Sequence, residues 1–144
     1  MFTPSRPDAR QFYFETWRKY LQKLPLAGAE RIALAIIHEH PEYHDILTQA
    51  ERYRMQDYPP EIGATNPFLH LSMHLALQEQ LAIDQPQGVR LYYQRMVSKH
   101  GAVDSAQHEM MDCLGEMIWQ AQRQQSAFDP KIYFNCLDKK LAAP

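Results

Sequence analysis

The placement of ten prolines is the strongest constraint on what this chain can become. Proline breaks a helix interior and disfavours helical backbone in the residue before it, so prolines at segment ends mark where helices stop and start. Between them apolar residues recur with a helical period, and no stretch alternates long enough to build a sheet. Glycine, at five, is scarce. The pattern predicts an all-α protein, a compact single-domain helical bundle over residues 1–144 with about four long helices and two or three short ones.

Ser5 and Asp8 can cap a first helix that runs to about Leu24 and buries Phe12, Trp17, Tyr20, Leu21 and Leu24, with Pro25 ending it. A second helix, about Ala27 to His40, carries Ile32, Leu34, Ile36 and Ile37 and stops before Pro41. Glu42 to Gln49 reads as a short third. Residues 51–65 turn polar around Tyr58-Pro59-Pro60 and Gly63, a long irregular connection of the kind that borders sites. Asn66-Pro67 opens a fourth helix to about Asp84, because an Asn cap accepts a free amide and proline at the first helical position has none to leave orphaned. Pro86 opens a fifth helix, closed by Gly101 after His100. Asp104 or Ser105 caps a sixth to about Gln125, and Asp129-Pro130 starts a short last helix with Ile132, Tyr133 and Leu137.

A formal charge of −2, with basic residues dispersed along the chain, speaks against a nucleic-acid-coating protein. Met1 to Phe14 lacks an apolar stretch of signal-peptide length, and the longest apolar run, Ile32 to Ile37, falls far short of the roughly 20 residues that span a bilayer. No membrane contact and a cytoplasmic location are the expectations. The two cysteines, Cys113 and Cys136, form no Cys-x-x-Cys pair and read as buried thiols in a reducing compartment. A homodimer or another protein is the partner class that remains.

Seven histidines are the unusual number. In NPFLHLSMHLALQEQ, His70 and His74 lie about 40° apart on one helical face, so both rings reach a common point. Their helix is apolar nearly all round, and buried imidazoles need their nitrogens satisfied. Neutral imidazole is the commonest metal ligand, and two spaced by four on a helix can bind one ion. The spacing recurs in HEHPEYH with His40 and His44, beside Glu39, although a break at Pro41 would swing His44 away. It recurs again in QHEMMDCLGEMIW as His108 and Asp112, with Glu116 on the same general side. Met110, Met111, Leu114, Met117 and Ile118 there form a core stripe rather than soft-metal ligands. His38 reads as solvent-facing and His100 as a helix-terminal residue. The candidate metal ligands are therefore His40, His44, His70, His74 and His108, with Glu39, Asp112 and Glu116 as ligand, supporting partner or general base.

No Glu-x-x-His pair occurs, which argues against a dinuclear carboxylate centre and for a mononuclear one. Zinc, iron, manganese or nickel is the implied class of ion. No phosphate loop, nucleophile elbow or catalytic cysteine signature is present, and no catalytic residue can be named. The rival reading is a metal-free protein-interaction module whose His/carboxylate network fixes helix register. A third is histidine acid–base catalysis without metal.

The strings HEHPEYH, NPFLHLSMH and QHEMMDCLGEMIWQAQR, in this order and at this separation, resemble a family of short bacterial proteins known as a domain of unknown function, family 1841. The resemblance runs from the first helix to about Leu137. It implies a bacterial, cytoplasmic, compact helical protein and carries over no substrate or catalytic residue.

Overall fold

The structure, a computed structural model, describes residues 6–58 and 66–144, and all regular structure among them is helical. The expected cap Ser5 and residues 59–65 of the expected connection lie outside the described residues. The chain forms two compact units, Met1–Leu75 and Ala76–Pro144, with the boundary inside one helix. No helix among the described residues is long and apolar enough to cross a membrane.

The first unit holds α1 (Arg6–Leu21), α2 (Gly28–His38), a 3-10 turn (Pro41–Tyr43), α3 (His44–Leu47), α4 (Ala50–Tyr53) and the beginning of α5 (Pro67–Ile83). Arg10, Tyr13, Phe14 and Trp17 recur at helical spacing and are all buried. The three aromatics pack with Ala33, Ile36 and Ile37 of α2, Leu47 of α3, and Phe68 and Leu71 of α5. The expected burial of Tyr20, Leu21 and Leu24 is corrected, since they are 41%, 54% and 43% exposed. Tyr20 and Leu21 belong to the last turn of α1 but fall outside the packed cluster, and Leu24 lies beyond the helix end. Lys23, at φ 58°, sends its amide to Tyr20 O while the Leu24 amide returns to Lys19 O, a Schellman closure built without glycine. The stretch expected to be irregular from residue 51 begins inside α4.

Asn66 opens α5 as the sequence predicts, its Oδ1 accepting from the Phe68 and Leu69 amides at 3.0 and 3.2 Å. The second unit continues α5 and adds α6 (Val89–His100), α7 (Val103–Gln124) and α8 (Pro130–Ala142), with α7 packed on both α6 and α8. Asp129 caps α8, and Gly101 ends α6 at φ 68°. Two starts differ from expectation. Pro86 precedes α6 rather than opening it, and the Asp84 carboxylate accepts from the Gly88 and Arg90 amides instead. Ala102 is the residue before α7, which places Asp104 in the first turn, where its charge favours the helix dipole.

Met110, Met111, Leu114 and Met117 are buried as the stripe predicts. The expectation of two thiols is overturned: Cys113 and Cys136 are joined in a disulfide. They occupy facing positions of α7 and α8 with Cα atoms 5.5 Å apart, within bridging range.

Candidate metal centre

His40 stands where α2 gives out. Helical backbone ends at Glu39, Pro41 forbids its continuation, and His40 takes the intermediate conformation φ −127°, ψ 64°. Its ring turns back and Nδ1 sits 2.7 Å from the carbonyl of Ile36. A carbonyl only accepts, so Nδ1 carries the proton and donates it. In the neutral ring that leaves the Nε2 lone pair bare. The contact satisfies one of the last carbonyls of α2 and fixes both tautomer and ring orientation, as supporting partners of metal-bound histidines do. His40 is 7% exposed.

His70 and His74 come from successive turns of α5, with Nε2 atoms 3.1 Å apart and ring planes inclined by 25°. The His40 ring completes a triangle, its centroid 4.9 Å from that of His70 and 4.7 Å from that of His74. One ring nitrogen of each of the three lies within 4.8 Å of the other two. His74 is 2% exposed and His70 half-buried. Two Nε2 lone pairs that close repel unless something positive lies between them, either a shared proton or a cation. Nitrogens about 2.0–2.1 Å from one tetrahedral zinc are about 3.3 Å from each other, near the observed separation.

Tyr43, which sequence reasoning did not single out, lies parallel to the His40 ring, 5.7 Å away with an interplanar angle of 3°. It also contacts His70, at 6.0 Å. Burial first, then the charge of Glu42, raises its hydroxyl above the ordinary tyrosine value. The 3-10 turn produces this contact by bringing residue 43 back over residue 40. Only its position three residues after a candidate ligand could have flagged it.

The same turn carries His44 elsewhere. Its Nε2 donates to Ile37 O at 2.9 Å, and its ring packs on Trp17 with centroids 4.4 Å apart. Glu39 is exposed at the end of α2. His108, Asp112 and Glu116 belong to the second unit. His108 Nδ1 donates to Asp104 O at 2.8 Å, one turn back on α7, which again leaves Nε2 without the proton in the neutral ring. Asp112 is exposed, 3.4 Å from Lys140 Nζ, and the exposed Glu116 accepts from Gln120 at 3.0 Å. His38 is solvent-facing as expected, its ring against Tyr20 at 4.7 Å. Within the first unit, then, the structure brings together His40, His70 and His74.

A family model described as domain of unknown function (DUF1841) matches residues 5–139. No curated protein and no solved structure matches the chain.

Proposed function

We propose that this chain, which belongs to the DUF1841 family, binds a divalent transition-metal ion through the ring nitrogens of His40, His70 and His74. The observation that carries the reading is the 3.1 Å approach of His70 Nε2 to His74 Nε2, with the His40 ring against both. Imidazole donors suit zinc, nickel and iron better than manganese, which takes oxygen ligands. His40 contributes most to preorganisation, because Ile36 O holds its tautomer before any ion arrives. His108 is the sequence's further nominee as a donor.

The test is elemental analysis of protein purified without chelator, before and after addition of zinc, iron, nickel or manganese. About one ion per chain is the expected result, with His74→Ala and His40→Ala reducing binding at least tenfold, as loss of one ligand from a three-histidine set should. His108→Ala, measured alongside, reports whether α7 supplies a donor. A protein that takes up none of the four ions sinks the reading. The alternative, a metal-free histidine network that fixes helix register, is favoured by the same 3.1 Å contact read as an N–H···N hydrogen bond. In that case a chelator leaves the melting temperature unchanged while His74→Ala still lowers it.

A further inference from the structure

Two successive carbonyls near the end of α2 each accept from a histidine ring, one from either side of the Pro41–Tyr43 turn. Ile36 O accepts from His40 Nδ1 at 2.7 Å, and Ile37 O accepts from His44 Nε2 at 2.9 Å. A carbonyl oxygen has two lone pairs, and here the other one takes a main-chain amide, that of Glu39 on Ile36 O at 3.1 Å and that of His40 on Ile37 O at 3.0 Å. His40 is therefore held twice, by its ring on one carbonyl and by its amide on the next. The His44 ring returns across the turn to the carbonyl that holds the His40 amide.

The His44 ring has a second support. It lies against Trp17 with centroids 4.4 Å apart and planes inclined by 31°, and Trp17 is buried in the core of the unit. Packing against α1 thus reaches the turn through this one side chain. Tyr43, carried by the same turn, lies parallel to the His40 ring at 5.7 Å and meets the His70 ring at 6.0 Å. Whatever fixes the turn therefore also fixes the direction of His40 and the ring laid over it.

From this we infer that His44 is a positioning residue for the candidate metal centre: it touches no ion, and its bond to Ile37 O locks the turn so that His40 keeps one tautomer and one ring direction. Its effect on an ion rests on the metal-binding reading above, whereas its effect on the His40 ring does not. The two histidines of HEHPEYH then act on one centre in different ways, His40 as a donor and His44 as the brace that aims it. Partners that orient metal-bound histidines typically change affinity by about 10–100-fold when removed, and His44, acting through backbone, belongs at the lower end.

The experiment compares the full-length parent protein with His44→Gln and His44→Phe. Glutamine places an N–H the same number of bonds from the backbone and gives up the ring, whereas phenylalanine keeps a ring for Trp17 and gives up the donor. Long-range proton–nitrogen NMR of the imidazoles at about pH 8.5, where an ordinary histidine is neutral, reads the His40 tautomer. The expected result is one tautomer, protonated at Nδ1, in the parent and in His44→Gln, and a mixture of two in His44→Phe. Zinc titrated against a competing chelator is expected to bind His44→Phe about tenfold more weakly than the parent, and His44→Gln within about threefold of it. Denaturant midpoints are measured alongside, because a merely structural His44 would lower the midpoint and leave the tautomer alone. An unmixed Nδ1-protonated tautomer in His44→Phe, a mixture already in the parent, equal zinc affinity of His44→Phe and parent, or a His44→Gln no better than His44→Phe each overturns the inference. A parent protein that takes up no zinc counts against the metal reading, and the tautomer comparison then decides for or against His44 by itself.

Discussion

Replacing Arg10 with methionine is expected to destabilise the protein by about 3 kcal/mol, read as a lowered denaturant midpoint. Arg10 is 2% exposed. Its Nη1 donates to Tyr53 O, Arg54 O and Gln56 O at 2.9, 3.1 and 2.8 Å. These carbonyls follow a helix of one turn, where no intrahelical amide remains to satisfy them. The guanidinium also stacks 4.7 Å from the centre of the Phe68 ring and 5.5 Å from that of Tyr58. Methionine fills much of the volume and restores none of the donors. Hydrogen bonds from a charged donor contribute about 1.5–3 kcal/mol each, and water at the partly exposed carbonyls returns a share of the loss. A shift below about 1 kcal/mol would mean that water replaces the guanidinium at all three carbonyls.

Reducing the Cys113–Cys136 bond is expected to cost a comparable amount, for a different reason. The bridge spans a sequence separation of 23 residues, and closing a loop of that length in the unfolded chain removes entropy worth about 3 kcal/mol. The folded state keeps α8 in place by other means, since Tyr133 and Leu137 are fully buried and Lys140 pairs with Glu109 at 2.6 Å. Reduced protein should therefore still fold, with a lower denaturant midpoint and a nearly unchanged far-ultraviolet spectrum. Thiol titration of denatured, unreduced protein should find no free cysteine. Two titratable thiols would contradict the bridge.

Much of this fold is legible in the sequence because helix starts have local chemistry. Asn66-Pro67 and Asp129-Pro130 each pair a cap with a residue that needs no amide partner, and both begin helices. Helix ends are legible where glycine or proline marks them, as at Gly101 after α6 and Pro41 after α2. Lys23 adopts the left-handed conformation that glycine usually takes, so the end of α1 leaves no signal, and the apolar Leu21 and Leu24 beyond α1's packed face mislead, whereas α7 ends at Gln124, close to where its helical period gives out. The disulfide is invisible for another reason. Two cysteines far apart in sequence reveal nothing until α7 and α8 are paired.

The candidate metal site divides the same way. His70 and His74 share a face by helical arithmetic alone, and the structure keeps them there. His40 and His44 have the same spacing but no common helix, because Pro41 falls between them. The i, i+4 rule therefore finds one of them, His40, beside His70 and His74 and loses the other to Trp17. Arg10 follows no pattern that marks a buried cation, since its partners lie on a segment more than forty residues away.

The bond between His40 Nδ1 and Ile36 O makes ending α2 and aiming His40 a single event. Mutational freedom across this segment is correspondingly unequal. At position 36 any apolar side chain that fills the core serves the ring equally well, because only the carbonyl is used. Position 41 is different: a residue that let α2 run one more turn would bring the His40 amide onto that carbonyl, which already accepts from the Glu39 amide at 3.1 Å, and the imidazole would be re-aimed with its own residue unaltered. A survey of variants would find substitutions at Pro41 behaving like substitutions of His40, two changes that no contact map of the site would group together.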